Sequence, residues 1–188
     1  MAWAVLKMTR DELIDRMQAA RDRGQKPDLT DVDLRGLELS QIDLAGADLS
    51  WAKLSLANLK EANLRQVDLT EADLVGANLT EADLGHTILK EADLGRSDLR
   101  RADLTGADIE WANLRSANLA GAKLTGANLY GANLGEANLQ AATLCGADLS
   151  GTDLTAANLN QADLSQVRYD ERTRWPGDKR IPPHLMNR

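Results

Sequence analysis

Hydrophobic residues recur at every fifth position through most of the chain. A leucine stands at each fifth position from Leu29 to Leu164, with Ile109 as the one substitution among these twenty-eight positions. This period fits neither common element, because an amphipathic helix repeats about every 3.6 residues and a strand every second residue. A five-residue period that keeps its frame for so long predicts one small unit stacked on itself.

Two further positions of the repeat are restricted. The residue two places before the leucine is alanine in twenty of the twenty-eight repeats, and the residue directly before it is aspartate or asparagine in twenty-three. We expect the leucine and alanine to be buried, since nothing larger than alanine fits beside a stacked copy of itself near the backbone. We expect the aspartate or asparagine to bond to the backbone of a turn. The two residues after the leucine vary freely and are predicted to face solvent.

A right-angled turn in each pentapeptide would close a square coil after four repeats. Twenty-eight repeats then form about seven coils, and coils that pair like parallel strands about 4.8 Å apart give a rod on the order of 34 Å long. Burial of each leucine contributes about 1.5–3 kcal/mol before the loss of conformational entropy. The leucines fill the axis, so no central ligand cavity is expected.

The Ala-(Asp/Asn)-Leu-x-x pattern of residues 27–167 resembles the pentapeptide repeat family over nearly three quarters of the chain. The resemblance implies an all-β solenoid, a right-handed quadrilateral β-helix. Residues 169–177 are similar to the tail that closes many cyanobacterial members of the family. The cyanobacterial members of this family include regulators of heterocyst differentiation.

Residues 1–26 lack the repeat, and residues 9–24 are predicted to form one helix. Thr9 and Glu12 are spaced as a capping box, and an apolar stripe follows at helical spacing, formed by Leu13, Ile14, Met17 and Ala20. We interpret this segment as an N-terminal α-helical cap over the open edges of the first coil. A helix that docks a partner is the alternative.

Residues 168–188 are interpreted as a C-terminal capping tail. Pro176, Pro182 and Pro183 prevent further coil pairing, and Tyr169 and Trp175 are expected to cover the last coil. A seam between two copies of the chain is the alternative to a cap.

The composition of the chain limits the cellular compartments in which the protein is expected. The chain of 188 residues carries a formal net charge of −7 and has a single cysteine, Cys145, so an internal disulfide is impossible and a reducing compartment is favoured. No run approaches the length of a membrane span, and the apolar start at residues 2–6 is too short for a signal peptide. We expect a soluble cytoplasmic protein that is a monomer or a weak dimer.

The sequence offers little for catalysis. His86 and Cys145 fall on one outward face but lie three coils apart, about 14 Å at the strand spacing, which is too far to share a metal. Most carboxylates occupy the repeat's own aspartate position, and no glycine-rich phosphate loop is present. The chain is therefore predicted not to be an enzyme and to bind no cofactor or metal.

Outward positions twenty residues apart should stack in columns, and one side of the rod gathers aromatic and acidic residues. We name this the Trp51–Trp111 face; it comprises Trp51, Glu71, Ile88, Glu91, Glu110, Trp111 and Tyr130. Exposed aromatics on a rigid surface suggest a binding site for a protein partner; scattered surface aromatics are the alternative. Leu56 and Val75 on the next face are weaker candidates.

The repeat region is acidic. Residues 27–167 contain twenty-two acidic and ten basic residues, a net charge of −12. Some members of the resembled family mimic DNA and bind type II topoisomerases, but −12 over the rod is one charge per ~2.8 Å, against one per ~1.7 Å in DNA. Four arginines also interrupt the acidic faces: Arg96, Arg100, Arg101 and Arg115.

The first hypothesis is therefore a non-catalytic scaffold, with a regulatory role, that binds an unidentified protein partner through the Trp51–Trp111 face. The alternative is a DNA mimic that inhibits or protects a type II topoisomerase (gyrase). The net negative charge of the repeat region disfavours direct binding of nucleic acid.

Overall fold

The computed structural model describes residues 8–177 of the chain. One helix, α1 (Arg10–Asp22), is followed by a long series of isolated β-bridges. Each bridge involves a single residue on either side, so no longer strand is defined within residues 8–177. Among these residues there is no helix with the length and apolar character of a membrane span. The apolar start at residues 2–6 and the prolines at 182 and 183 lie outside the described residues.

The bridges all run parallel and follow a spacing of twenty residues. The first joins Asp28 to Asp48, and the pattern continues with one bridge per pentapeptide, at the residue directly before each leucine. The backbone therefore advances by one coil in twenty residues and is tied to the next coil at four places. The last bridge departs from this spacing, because Asp153 pairs with Arg174, which shows that the C-terminal segment contains one extra residue.

Each pentapeptide turns directly after its leucine. From Leu34 onward, the central carbonyl accepts the N–H of the residue three places later, at 2.9–3.4 Å. The second residue after the leucine has a positive φ in all twenty-eight repeats, nineteen of them with a residue other than glycine, as a type II turn requires.

The expectation that both residues after the leucine vary freely is wrong for the second one. None of its twenty-eight occupants is Val, Ile or Thr, the residues whose branched side chains are least compatible with a left-handed backbone.

The aspartates and asparagines stabilise these turns. In twenty-two repeats the side-chain Oδ1 accepts the backbone N–H two residues later, at 2.9–3.3 Å. Asparagine can also donate to the coil before it, as Asn78 does to Asn58 at 2.9 Å. The prediction that these residues bond to turn backbone is confirmed.

The core is a narrow column of leucine and alanine. Every central residue of the twenty-eight repeats is buried except Leu159, which is half-buried at the C-terminal end. The alanine position also holds Val67 and Thr87, both fully buried, and the Thr87 hydroxyl donates to the carbonyl of Leu64 at 2.7 Å. The expectation that nothing larger than alanine fits there is therefore wrong, because a valine-sized side chain is accommodated.

Helix α1 packs against the first coil. The capping box of Thr9 and Glu12 is confirmed, and Leu13 and Met17 belong to the same buried cluster as the repeat leucines. Ile14, which belongs to the same apolar stripe, is 43% exposed. Arg10 donates to the carbonyl of Glu38 at 2.9 Å, which ties the start of the helix to the coil.

The residues after the last repeat also contact the stack. Trp175 is buried in the core cluster and meets Tyr169 edge to face, with ring centroids 5.7 Å apart. The Thr173 hydroxyl donates to the carbonyl of Leu149 at 2.8 Å. Through these contacts the C-terminal segment lies against the final coil.

Candidate functional site

The structure places all seven residues of the Trp51–Trp111 face on one side of the stack. Ile88 is a member of the ladder of bridges that also contains Asp68 and Asp108. The other six lie at the turn that follows this ladder, in two neighbouring columns. The outer of these, which we name the corner column, contains Trp51, Glu71, Glu91 and Trp111, and the inner one contains Glu110 and Tyr130.

Adjacent coils hold these residues in register through the backbone. The N–H of Trp51 donates to the carbonyl of Thr70 at 2.9 Å, and the N–H of Trp111 donates to the carbonyl of Tyr130 at the same distance. The two tryptophans are three coils apart, about 14 Å at the usual strand spacing. Their separation is set by the backbone of the intervening coils.

The aromatic residues of the corner column are open to solvent. Trp51 is 53% exposed and Trp111 is 55% exposed, because both occupy the left-handed turn position outside the leucine core. Ile88 is also exposed, whereas Tyr130 is half-buried. Two indole rings are thus presented on a regular backbone.

Trp111 belongs to a larger cluster. Its ring meets Tyr130 edge to face at 5.4 Å between centroids, and the guanidinium of Arg172 lies 5.3 Å from the centre of the Tyr130 ring. Aromatic pairs and cations over aromatic rings each contribute about 0.5–1 kcal/mol at exposed sites. The sequence analysis did not place Arg172 beside Tyr130. The extra residue in the C-terminal segment breaks the spacing of twenty residues on which the columns were assigned.

The carboxylates of the face differ in their surroundings. Glu110 accepts a hydrogen bond from Lys90 at 2.9 Å, and Asp108 pairs with the same lysine at 3.2 Å. These bonds raise the pKa of Lys90 above its usual value. Glu71 and Glu91 are exposed and have no ion-pair partner among residues 8–177. The corner column therefore presents two uncompensated carboxylates between its two tryptophans.

Asp170 fixes the C-terminal segment beside this face. It accepts a hydrogen bond from the N–H of Gly151 at 2.8 Å and is bound by Arg172 at 2.7 Å. Partial desolvation alone would raise the pKa of Asp170, but the hydrogen bonds from Arg172 and Gly151 and the charge of Arg172 lower it to about 2. The carboxylate is thus ionised and holds Arg172 over Tyr130.

The residues considered for catalysis are not assembled. The ring of His86 packs against Gly106 in the next coil, and Cys145 is a half-buried free thiol. Within the part of the chain that the structure describes, no three His, Cys, Asp or Glu side chains are grouped to hold a metal ion. His184 lies outside the described residues.

The acidic surface is divided by ion pairs. Arg100 binds Asp98 at 2.6 Å, Arg101 binds Glu81 at 3.2 Å, and Arg115 binds Glu136. Three of the four arginines predicted to interrupt the acidic faces are therefore each paired with an acid of the repeat region. The negative charge does not form a continuous strip along these faces.

A family comparison accounts for the regular stack. The model of the family described as "Pentapeptide repeats" matches eight copies in overlapping segments that together span residues 28–168. The chain belongs to the pentapeptide repeat family. No curated protein matches it at a significant level.

Several solved structures are similar to this one. HetL, involved in heterocyst differentiation regulation in the cyanobacterium Nostoc sp. strain PCC 7120, is 30% identical over 86% of this chain and 94% of its own, with a TM-score of 0.43. Alr5209 from Nostoc PCC 7120 is 39% identical over 47% of this chain and 77% of its own, with a TM-score of 0.41. Full-length QnrB1, a plasmid-mediated fluoroquinolone resistance protein, is 19% identical over 77% of this chain and 84% of its own, with a TM-score of 0.41.

Proposed function

We propose that this pentapeptide repeat protein is a non-catalytic scaffold that binds a protein partner through the Trp51–Trp111 face. The observation that carries the proposal is the pair of indoles, each more than half exposed, in one column of a hydrogen-bonded stack. Tryptophan dominates the energetics of many interfaces, and a rigid backbone reduces the entropy lost on binding. Non-polar rings fixed in this way are suited to holding a partner.

The architecture that we propose for this role is a right-handed quadrilateral β-helix of about seven coils. Helix α1 serves as its N-terminal cap, supported by the burial of Leu13 and Met17 against the first coil. Residues 168–177 serve as the described part of the proposed C-terminal capping tail; residues 178–188 of that tail lie outside the described residues. We assign the protein to the cytoplasm, as a monomer or weak dimer with a regulatory role and no cofactor.

The alternative of a topoisomerase-directed DNA mimic has weaker support. A mimic requires closely spaced, accessible negative charge, whereas Asp98, Glu81 and Glu136 are each bound by an arginine. A supercoiling assay with purified gyrase separates the two functions. Inhibition at micromolar protein would favour the mimic, and an unaffected enzyme would favour the scaffold.

Affinity capture from cell extract tests the proposed face directly. The bait is the full chain, and the variant combines Trp51→Ala with Trp111→Ala. His86→Ala provides the matched control, because His86 occupies the same left-handed turn position on another column and its ring side chain is also exposed. Loss of a specific partner from the double variant alone supports the proposal, and an unchanged set of captured proteins rejects it.

A further inference from the structure

We infer that the Trp51–Trp111 face binds a basic amphipathic α-helix that lies along the corner column. This inference rests on the proposed function and specifies the chemistry of the partner. It is carried by two features of the corner column, its charge and its spacing. The occupant is a segment with two cationic side chains between two apolar ones.

The charge of the column calls for a cationic partner. Glu71 and Glu91 are exposed, occupy adjacent coils and have no ion-pair partner among residues 8–177. Asp73 and Asp93 follow them by two residues each and add negative charge on the next ladder. Two bases lie nearby and both are already paired: Lys90 is shared between Asp108 and Glu110, and Lys53, beside Asp73 on its ladder, binds Asp31. A cation from another chain would relieve the repulsion between the two glutamates.

The spacing of the column matches a helix. Its four side chains lie about 4.8 Å apart, so the last is about 14 Å from the first. Helix positions p, p+3, p+7 and p+10 share one face and lie at about 0, 4.5, 10.5 and 15 Å along the axis. Each helix position thus falls within about 1 Å of a column position.

An extended segment fits less well. Side chains on one side of a strand repeat about every 6.8 Å, so only one would stand between the two tryptophans. The two glutamates would then share a single cation. The helix instead places an apolar residue on each tryptophan, at p and p+10, and a cationic residue at each glutamate, at p+3 and p+7.

Arginine suits the two central positions better than lysine. A guanidinium can pair with a carboxylate through two parallel N–H groups and can also stack on a neighbouring indole. Glu71 is next to Trp51 in the column, and Glu91 is next to Trp111, so each glutamate offers both contacts. The face is therefore expected to prefer arginine to lysine at p+3 and p+7.

The test uses a fluorescein-labelled alanine-based helical peptide with leucine at p and p+10 and arginine at p+3 and p+7. Fluorescence anisotropy measures its binding to the full chain at low ionic strength. The combined variant Glu71→Lys/Glu91→Lys should weaken binding at least about tenfold, equivalent to about 1.4 kcal/mol. Added salt should weaken binding to the unmodified chain, since exposed charges are screened.

The matched control is Glu61→Lys/Glu81→Lys. These two glutamates also occupy adjacent coils, the same repeat position and a left-handed backbone, but no tryptophan stands in their column. This variant should change binding by less than about twofold, which is about 0.4 kcal/mol. An equal loss in both double variants would show a general charge effect and overturn the inference.

Two further peptides complete the test. A peptide with a central proline cannot form the helix, and one with glutamate in place of both arginines reverses the charge. Undiminished binding of either would overturn the inference. If no peptide binds while the Trp51→Ala/Trp111→Ala variant loses its partner in affinity capture, the inference fails and the proposed function stands. An unchanged capture rejects the proposed function itself.

Discussion

The indole ring of Trp111 lies directly over Gly131 in the next coil. A Cβ added to Gly131 would stand 2.5 Å from the ring, closer than any real contact permits. Both residues occupy the left-handed turn position, twenty residues apart. Leu56 has the same relationship to Gly76, where an added Cβ would stand 2.9 Å from the leucine side chain. Trp111 and Leu56 therefore each lie against the following coil at a position where glycine makes room for them.

Substitution Gly131→Ala should displace Trp111 and destabilise the fold by about 1–3 kcal/mol, through overpacking and strain at positive φ. Urea unfolding gives the stability, and tryptophan fluorescence reports the altered environment of the ring. Gly126→Ala is the control, because its φ is +65° and nothing lies within 4 Å of its added Cβ. Equal costs for the two variants would show that the contact with Trp111 has no effect.

The turn position should reject branched side chains. Ala141 has a φ of +55° and is exposed, so Ala141→Val should destabilise by about 1–2 kcal/mol relative to Ala141→Gly. Gln140→Val is the control, since the preceding position tolerates Thr70 and Val75. Thermal and urea unfolding measure the differences. A harmless valine at position 141 would contradict the assigned role of this turn.

The hydroxyl of Thr87 should stabilise the fold more than a methyl group in the same place. Thr87→Val keeps the shape but loses the 2.7 Å hydrogen bond to the carbonyl of Leu64, at a cost of about 1 kcal/mol. The reciprocal change Val67→Thr, one coil earlier in the same column, should cost less, because its hydroxyl can reach the equivalent carbonyl of Leu44. Chemical denaturation of both variants tests the difference, and equal costs would rule out this hydrogen bond as a stabilising contact.

Acid should release the C-terminal segment. The pKa of Asp170 is lowered from 3.8 to about 2 in the folded chain, so its stabilising effect is complete above the unfolded value and is lost as the pH falls from about 3.8 through about 2. The protection of the Gly151 amide hydrogen, which donates to Asp170, should therefore fall over this range once the measured exchange is corrected for its intrinsic pH dependence.

The variant Asp170→Asn should show low protection of the Gly151 amide hydrogen already at neutral pH, with little further loss of protection in acid. Glu171→Gln is the control, since Glu171 is the neighbouring exposed acid and forms no ion pair among residues 8–177. Identical pH profiles for the unmodified chain and Asp170→Asn would remove Asp170 as the group that holds the segment.

The buried part of the fold could be predicted because burial acts directly on the choice of side chain. Leu and Ala repeat where the axis excludes water, and the frame is kept even at Thr87 and Ile88, where both usual residues are replaced. The need for a positive φ at the second residue after the leucine was missed, because it acts on the backbone. It excludes some residue types but does not favour any single one. The absence of Val, Ile and Thr from that position was the available signal.

The site could be predicted only in part. The period of twenty places Trp51 and Trp111 in one column, and the structure brings them together with Glu71 and Glu91. The pairing of Lys90 with Glu110 and the contact of Arg172 with Tyr130 depend on side-chain reach and on a one-residue shift in the C-terminal segment. Neither is visible in a repeat pattern.

The spacing of twenty residues between bridges also constrains how such a gene can change in length. Duplication or deletion of twenty codons would lengthen or shorten the rod and leave every side chain on its original face. An insertion of five codons between Trp51 and Trp111 would keep all leucines buried yet turn everything downstream by a quarter revolution, so that the two indoles would point in perpendicular directions. Such a protein would fold normally but would no longer present the Trp51–Trp111 face, which we propose as the binding surface, on one side of the rod.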